Sequence, residues 1–191
     1  MRWKYVDIPN YDIIQNKLQG VMKKHHKLLK HGISVANMTS SELVCDITEI
    51  EELSDFLHTT DLLKYVVHYV IFVISPGQEY DIHIDGTNVA PFLNESRILL
   101  PILNCNGIKT KFYTSTHNPE IVVIKSHNDD QDLYYERFNP EYCTEVDSYE
   151  LTAPVVINPN YPHKVEENTN NDLRVSLGIA FNKKIDLFQN T

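Results

Sequence analysis

"INPNYPHKVEENTNNDLRVSLGIAF", residues 157–181, decides how this chain is read. Its last nine residues alternate in character. Leu173, Val175, Leu177 and Ile179 fall on one side of an extended chain, Arg174 and Ser176 on the other, because successive strand side chains point to opposite faces. A strand with so continuous an apolar side belongs in a core. A guanidinium carried into a core needs an anion beside it, because a desolvated, unpaired charge is costly. Arg174 offers a planar fork of donors and Ser176 a hydroxyl, a pair suited to a carboxylate. That carboxylate belongs either to the protein or to a ligand. Eleven residues before Arg174, after a proline-punctuated turn, stands His163.

A second stretch supplies what His163 lacks. In "EYDIHIDG", residues 79–86, His83 and Asp85 share one face of a strand and Ile82 and Ile84 the other, and Gly86 lets the chain turn away. Such a pair alone also fits a hydrogen-bonded His–Asp contact at a strand end. With a downstream histidine it becomes two imidazoles and one carboxylate, a set that binds a first-row metal facially and leaves coordination positions open.

The rest of the chain supports a β-rich frame around these residues. From Tyr65 to Gly77, "YVVHYVIFVISPG" is β-branched and aromatic and ends at Pro76-Gly77. Short strand-like runs follow at 79–85, 97–103, 109–115, 120–125, 154–157, 162–166 and 173–181, the spacing of an all-β sandwich or barrel. Before Tyr65 the pattern is helical. Ile14, Leu18, Val21, Met22, Leu28 and Leu29 recur near a 3.6-residue period over 11–31, with Gly32 as the stop. Thr48 and Glu51 have capping-box spacing for a second helix with Ile50, Leu53 and Leu57 on one face, and a short helical turn is expected around 61–64. The expectation is one domain over 1–191: a helical support at 1–64 and a β core at 65–182. The polar segment 126–148, part of a region at 115–148, reads as an insertion at one end of the sandwich.

Composition narrows the function classes. The 191 residues carry a net charge of −9. With no dense run of Lys and Arg, nucleic acid is an unfavoured partner. The basic cluster "KKHHKLLKH" (23–31) fits the solvated face of a helix. The run 65–74 is too short to span a bilayer as a helix, and "MRWKYVDIPN" has no apolar signal region. Three cysteines without CxxC spacing (Cys45, Cys105, Cys143) fit reduced thiols in a cytoplasmic protein.

Taken in order, His83, Asp85, His163, Arg174 and Ser176 resemble the HxD…H…RxS pattern of the Fe(II)/2-oxoglutarate-dependent oxygenases, with distant likeness to the prolyl and aspartyl/asparaginyl hydroxylases and to small phage and bacterial members. The resemblance spans about residues 65–182. It implies a double-stranded β-helix (jelly roll, cupin-like). His83, Asp85 and His163 would be the catalytic iron ligands, and Arg174 and Ser176 would hold the distal carboxylate of 2-oxoglutarate. It further implies use of O2, release of succinate and CO2, and hydroxylation rather than halogenation, because halogenases lack the carboxylate that Asp85 supplies. "SRILLPILNCNGIKTKFY" (96–113) resembles a strand pair in which an arginine helps bind the co-substrate. Arg97 is the candidate, with a strand-end charge as the alternative, and Leu99 stands where the asparaginyl branch has histidine. Asn104 and Tyr113 are further candidates to touch the co-substrate, or else make structural hydrogen bonds. Tyr80, an odd number of residues from His83, should face away from it. His68 reads as a core histidine, and His117 and His127 as exposed. The rival readings are a non-catalytic module binding a metal or small acid, and a structural jelly roll such as a virion component. The substrate, a small molecule or a protein side chain, has no motif; it would be contacted by 115–148 and 87–96.

Overall fold

The computed structural model describes residues 2–25, 41–85, 95–124 and 133–185. The strands are β1 (Trp3–Tyr5), β2 (Val66–Ile74), β3 (Ile82–Ile84), β4 (Ser96–Leu103), β5 (Lys109–Ser115) and β6 (Glu120–Ile124). They continue with β7 (Leu133–Phe138), β8 (Cys143–Glu150), β9 (Val155–Ile157), β10 (His163–Val165) and β11 (Arg174–Phe181). The helices are α1 (Tyr11–Lys24), α2 (Ser41–Thr48) and α3 (Glu51–Thr59).

The strands form two sheets. One has five strands in the order β1-β9-β4-β11-β2 and the other six in the order β6-β7-β3-β10-β5-β8, all recorded pairings being antiparallel. The strand spacing predicts a sandwich or barrel, and the two-sheet arrangement is the jelly roll that the resemblance implies.

The outer face of the five-stranded sheet carries the helices. Val175, Leu177, Ile179 and Phe181 of β11 join Ile71 and Val73 of β2 and Ile98, Leu100 and Ile102 of β4. Against them pack Ile14, Leu18 and Met22 of α1, Leu43 and Ile47 of α2, and Leu53 and Leu57 of α3. Burying this apolar area is the main free energy holding helices to sheet. Polar contacts fix the register of α1: Tyr11 donates to the Pro101 carbonyl at 2.6 Å and Gln19 to that of Ile102 at 3.0 Å. Between the sheets lies a second cluster of Leu99, Phe112, Tyr149, Leu151, Val155 and Ile157, capped by Trp3. The site described below occupies the same inter-sheet space.

Three expectations need correction. Thr48 does not open a helix: its hydroxyl donates back to the carbonyls of Val44 and Cys45 at 2.9 and 3.0 Å, closing α2, and α3 starts after Ile50 without a side-chain cap. The N-terminal support is not wholly helical, because Trp3–Tyr5 adds β1 to the edge of the first sheet through β9. Most of the supposed insertion is sheet, with β7 paired to β3 and β6, and β8 paired to β5. An edge strand such as β8, with one side open to water, needs no apolar run, so its polar composition reads as loop. Gly32, residues 26–31 of the basic cluster, His127 and most of 87–96 lie outside the described residues. All three cysteines are free thiols, with Cys45 exposed and Cys105 buried. Among the described residues no helix is long and apolar enough to cross a membrane.

Candidate metal centre

The antiparallel pairing of β3 with β10 sets His83 directly opposite His163. Cross-strand partners point to the same face, so both imidazoles enter the inter-sheet space, their ring centroids 4.7 Å apart. Asp85 follows β3, and its backbone N–H donates to the Pro159 carbonyl at 3.0 Å, which ties it to the turn before β10. One ligand atom from each of His83, Asp85 and His163 lies within 4.8 Å of the others. The Nε2 of His83 is 3.4 Å from Asp85 Oδ1, and that of His163 is 3.7 Å from Oδ2.

Each imidazole is oriented by the backbone. His83 Nδ1 pairs with the Asp81 carbonyl at 2.7 Å and His163 Nδ1 with the Tyr161 carbonyl at 2.8 Å. With Nδ1 donating to a carbonyl, the Nε2 lone pair points at the shared space, as metal-binding histidines require.

The charge balance also suits a cation. Burial pushes the Asp85 carboxyl up, but Arg97, His83 and His163 more than reverse this and hold it well below the usual carboxylate range. Burial lowers His163 to about 4, so it is neutral near pH 7. Burial lowers His83 too, but the hydrogen bond and charge of Asp85 outweigh it and leave the group raised. A cation at His83 Nε2 would compete with a proton there, so metal binding at this site would depend on pH.

Arg97, the second residue of β4, is buried, and its guanidinium donates to Asp85 Oδ2 rather than facing solvent. Its Cζ lies 5.2 Å from the centroid of Phe72. Gly178 on β11 makes room for both: a Cβ there would stand 2.6 Å from Phe72 Cε2 and 3.1 Å from Arg97 Cδ. His68 shares this face, opposite Ala180. Burial and the nearby Arg97 lower it to about 4, although Asp85 pulls the other way.

Arg174 is 2% exposed and Ser176 1%, on the inward side of β11 as the alternation requires. The Nε of Arg174 is buried without a hydrogen-bond partner among the described residues. Thr110 and Tyr149 are cross-strand partners on β5 and β8. Burial pushes the Tyr149 phenol up to about 12, although its hydrogen bond with Thr110 and the charge of Arg174 pull it down, while Asp85 adds to the rise. Buried donors are normally satisfied, so the open Nε of a buried guanidinium, with the Ser176, Thr110 and Tyr149 hydroxyls nearby, suits this space to an anionic acceptor.

The other expected residues lie elsewhere. Asn104, at φ 49°, donates to the Leu173 carbonyl at 2.9 Å and lines a groove of about 540 Å³ between α1 and the β4–β5 turn, which none of the triad lines. Tyr113 packs with Ile82 and Phe138 on the face of the second sheet opposite His83. His117 stacks on Tyr142 at 3.7 Å. Tyr80 is corrected in the other direction. Its ring centroid is 6.3 Å from that of His83, and both Arg174 and Asp85 act on its phenol. Residues 78–81 are not strand, so odd spacing does not put Tyr80 on the far face. Thr110 and Tyr149 carried no sequence signal beyond being polar alternates on strands.

No family model and no curated protein matches the sequence. Solved structures do resemble the fold. A Pseudomonas putida prolyl-4-hydroxylase aligns over 95% of this chain and 92% of its own at 12% identity, TM-score 0.49. The non-haem monooxygenase ThoJ in its apo form covers 94% and 73% at 12% identity, TM-score 0.50. The non-haem alpha-ketoglutarate-dependent carbocyclase SnoK from nogalamycin biosynthesis covers 92% and 76% at 13% identity, TM-score 0.50. The chain has the fold of the non-haem iron oxygenases.

Proposed function

We propose that the protein is an Fe(II)- and 2-oxoglutarate-dependent dioxygenase that hydroxylates an organic substrate. One observation carries this reading: a two-histidine, one-carboxylate cluster shares its space with a buried anion cradle. A bare metal binder needs the first and has no use for the second.

His83, Asp85 and His163 would hold the iron. Fe(II) supplies O2 activation coupled to oxidative decarboxylation of 2-oxoglutarate to succinate and CO2. The residues of the chain do the rest. Asp85, kept ionised by Arg97, offers Oδ1 while Oδ2 stays on the guanidinium. His83 and His163 present Nε2 because the Asp81 and Tyr161 carbonyls hold their other nitrogens. Arg174 would take the distal carboxylate of 2-oxoglutarate, with Ser176, Thr110 and Tyr149 adding hydroxyl donors. Phe72, Phe112 and Leu99 keep bulk water from this end of the site, which strengthens every charge interaction inside.

The test is an anaerobic Fe(II) titration with and without 2-oxoglutarate, following the weak visible band of the chelate. The wild type should form the band. Arg174→Ala should bind 2-oxoglutarate about 30-fold more weakly, since a desolvated charge-assisted pair is worth roughly 2–5 kcal/mol. Its Fe(II) affinity alone should be unchanged. Arg174→Lys should recover part of the loss. Unchanged 2-oxoglutarate binding in Arg174→Ala would overturn the reading.

A further inference from the structure

One rung of the six-stranded sheet runs through the metal centre and beyond it. Glu120 on β6 pairs with Arg137 on β7, Arg137 with His83, His83 with His163, and His163 with Phe112. Directly opposed residues of antiparallel strands share a face. Ile82 and Phe138, neighbours of His83 and Arg137, pack together on the other face, which confirms the phase. Arg137 and Glu120 therefore stand in line with the two histidines, one and two strands away, at roughly 5 Å per strand.

Exposure rises along this rung. The side chain of His163 is 5% exposed, that of His83 19% and that of Arg137 44%. Among the described residues the rung is most buried on the β10 side and most exposed on the β7 side. A substrate approaching the open side of the triad passes Arg137, which pairs with Glu120 at 3.0 Å and with Asp81 at 3.7 Å. Both acids are largely exposed. Exposed ion pairs contribute little to stability, so a ligand exchanges them at little cost. The buried Arg97–Asp85 pair has no such freedom.

Resting on the oxygenase reading above, we infer that Glu120, Arg137 and Asp81 select a zwitterionic substrate, a free amino acid whose carboxylate takes Arg137 and whose ammonium takes one of the two acids. The signs are complementary, and the second acid is left to balance a basic side chain. The distance along the rung sets the size. The amino-acid head sits one to two strands from the ligands, so the oxidised carbon lies several bonds beyond the α-carbon. Long side chains are preferred, and glycine and alanine are excluded.

The experiment uses the anaerobic Fe(II)/2-oxoglutarate complex and follows the shift of its visible band. The probes are the common L-amino acids, each as the free acid and as the N-acetyl methyl ester. At least one long-chain free amino acid should shift the band and its blocked ester should not. Arg137→Gln should weaken that binding at least tenfold while leaving 2-oxoglutarate affinity unchanged, and Arg137→Lys should restore part of it. Arg137 is a surface residue, so both variants should fold, as checked by circular dichroism. A normal band that no free amino acid shifts, or that Arg137→Gln leaves equally responsive, overturns the inference and spares the oxygenase reading. Failure of the band to form at all overturns both.

Discussion

The two faces of the five-stranded sheet are made by the same strands one residue out of step. On β11 the helix side reads Val175, Leu177, Ile179 and Phe181, all 0% exposed. The opposite side reads Arg174, Ser176, Gly178 and Ala180, equally buried. The first face has no polar atom and packs by shape. The second holds a guanidinium, a hydroxyl and a gap kept open by the missing Cβ of Gly178. One face supplies the free energy to fold, and the other spends part of it to keep charges dry beside the candidate metal centre.

Substitutions on the two faces should therefore fail differently. The largest loss is expected from Asp85→Ala. It removes the carboxylate proposed to hold the metal and also takes the partner from buried Arg97, which should cost about 3–5 kcal/mol in a urea titration without added metal. If Asp85→Ala loses metal but keeps wild-type stability, Arg97 is not held by Asp85 in solution. Leu177→Ala, on the helix side, should cost about 3 kcal/mol by cavity formation while its folded fraction binds metal and 2-oxoglutarate as the wild type does. An altered affinity there would mean that the two faces are coupled.

Gly178→Ala should cost about 1–3 kcal/mol through overpacking against Phe72 and Arg97. Unlike Leu177→Ala, it should also weaken metal binding, because the displaced stem is that of Arg97. Isothermal titration with Zn(II) separates the two variants. The smallest effect concerns pH. His68 titrates near 4 in the folded state against about 6.5 unfolded, so the unfolded chain binds the proton first. Its contribution is present above pH 6.5 and is lost as pH falls from 6.5 towards 4. Between pH 7 and 4.5 the wild type should therefore lose more stability than His68→Gln. Parallel curves would mean that His68 is hydrated.

Much of this site was legible in the chain. The alternation 173–181 and the pair His83/Asp85 are local patterns, and a strand's faces follow from its own residues. Arg97 was legible only as a candidate, because a charge at the start of a strand reads alike whether it meets water or Asp85. Tyr113 and Asn104 were polar residues at strand ends with no means of telling which way they turned. β7 and β8 were hidden by their polarity, as open-sided strands need no apolar run.

The sequence by itself determined the candidate ligand types, the order in which they occur and the face each takes on its own strand. Those depend on a two-residue period that every extended chain obeys. Only the tertiary structure decided which faces meet. His83 opposes His163, Thr110 opposes Tyr149, and Arg137 stands beside His83 through registers between distant segments. Register is fixed by burying whole faces at once, since a slip of one residue would turn every apolar side chain outward. That cooperative requirement is invisible in any single stretch, and it gathers five scattered residues into one rung.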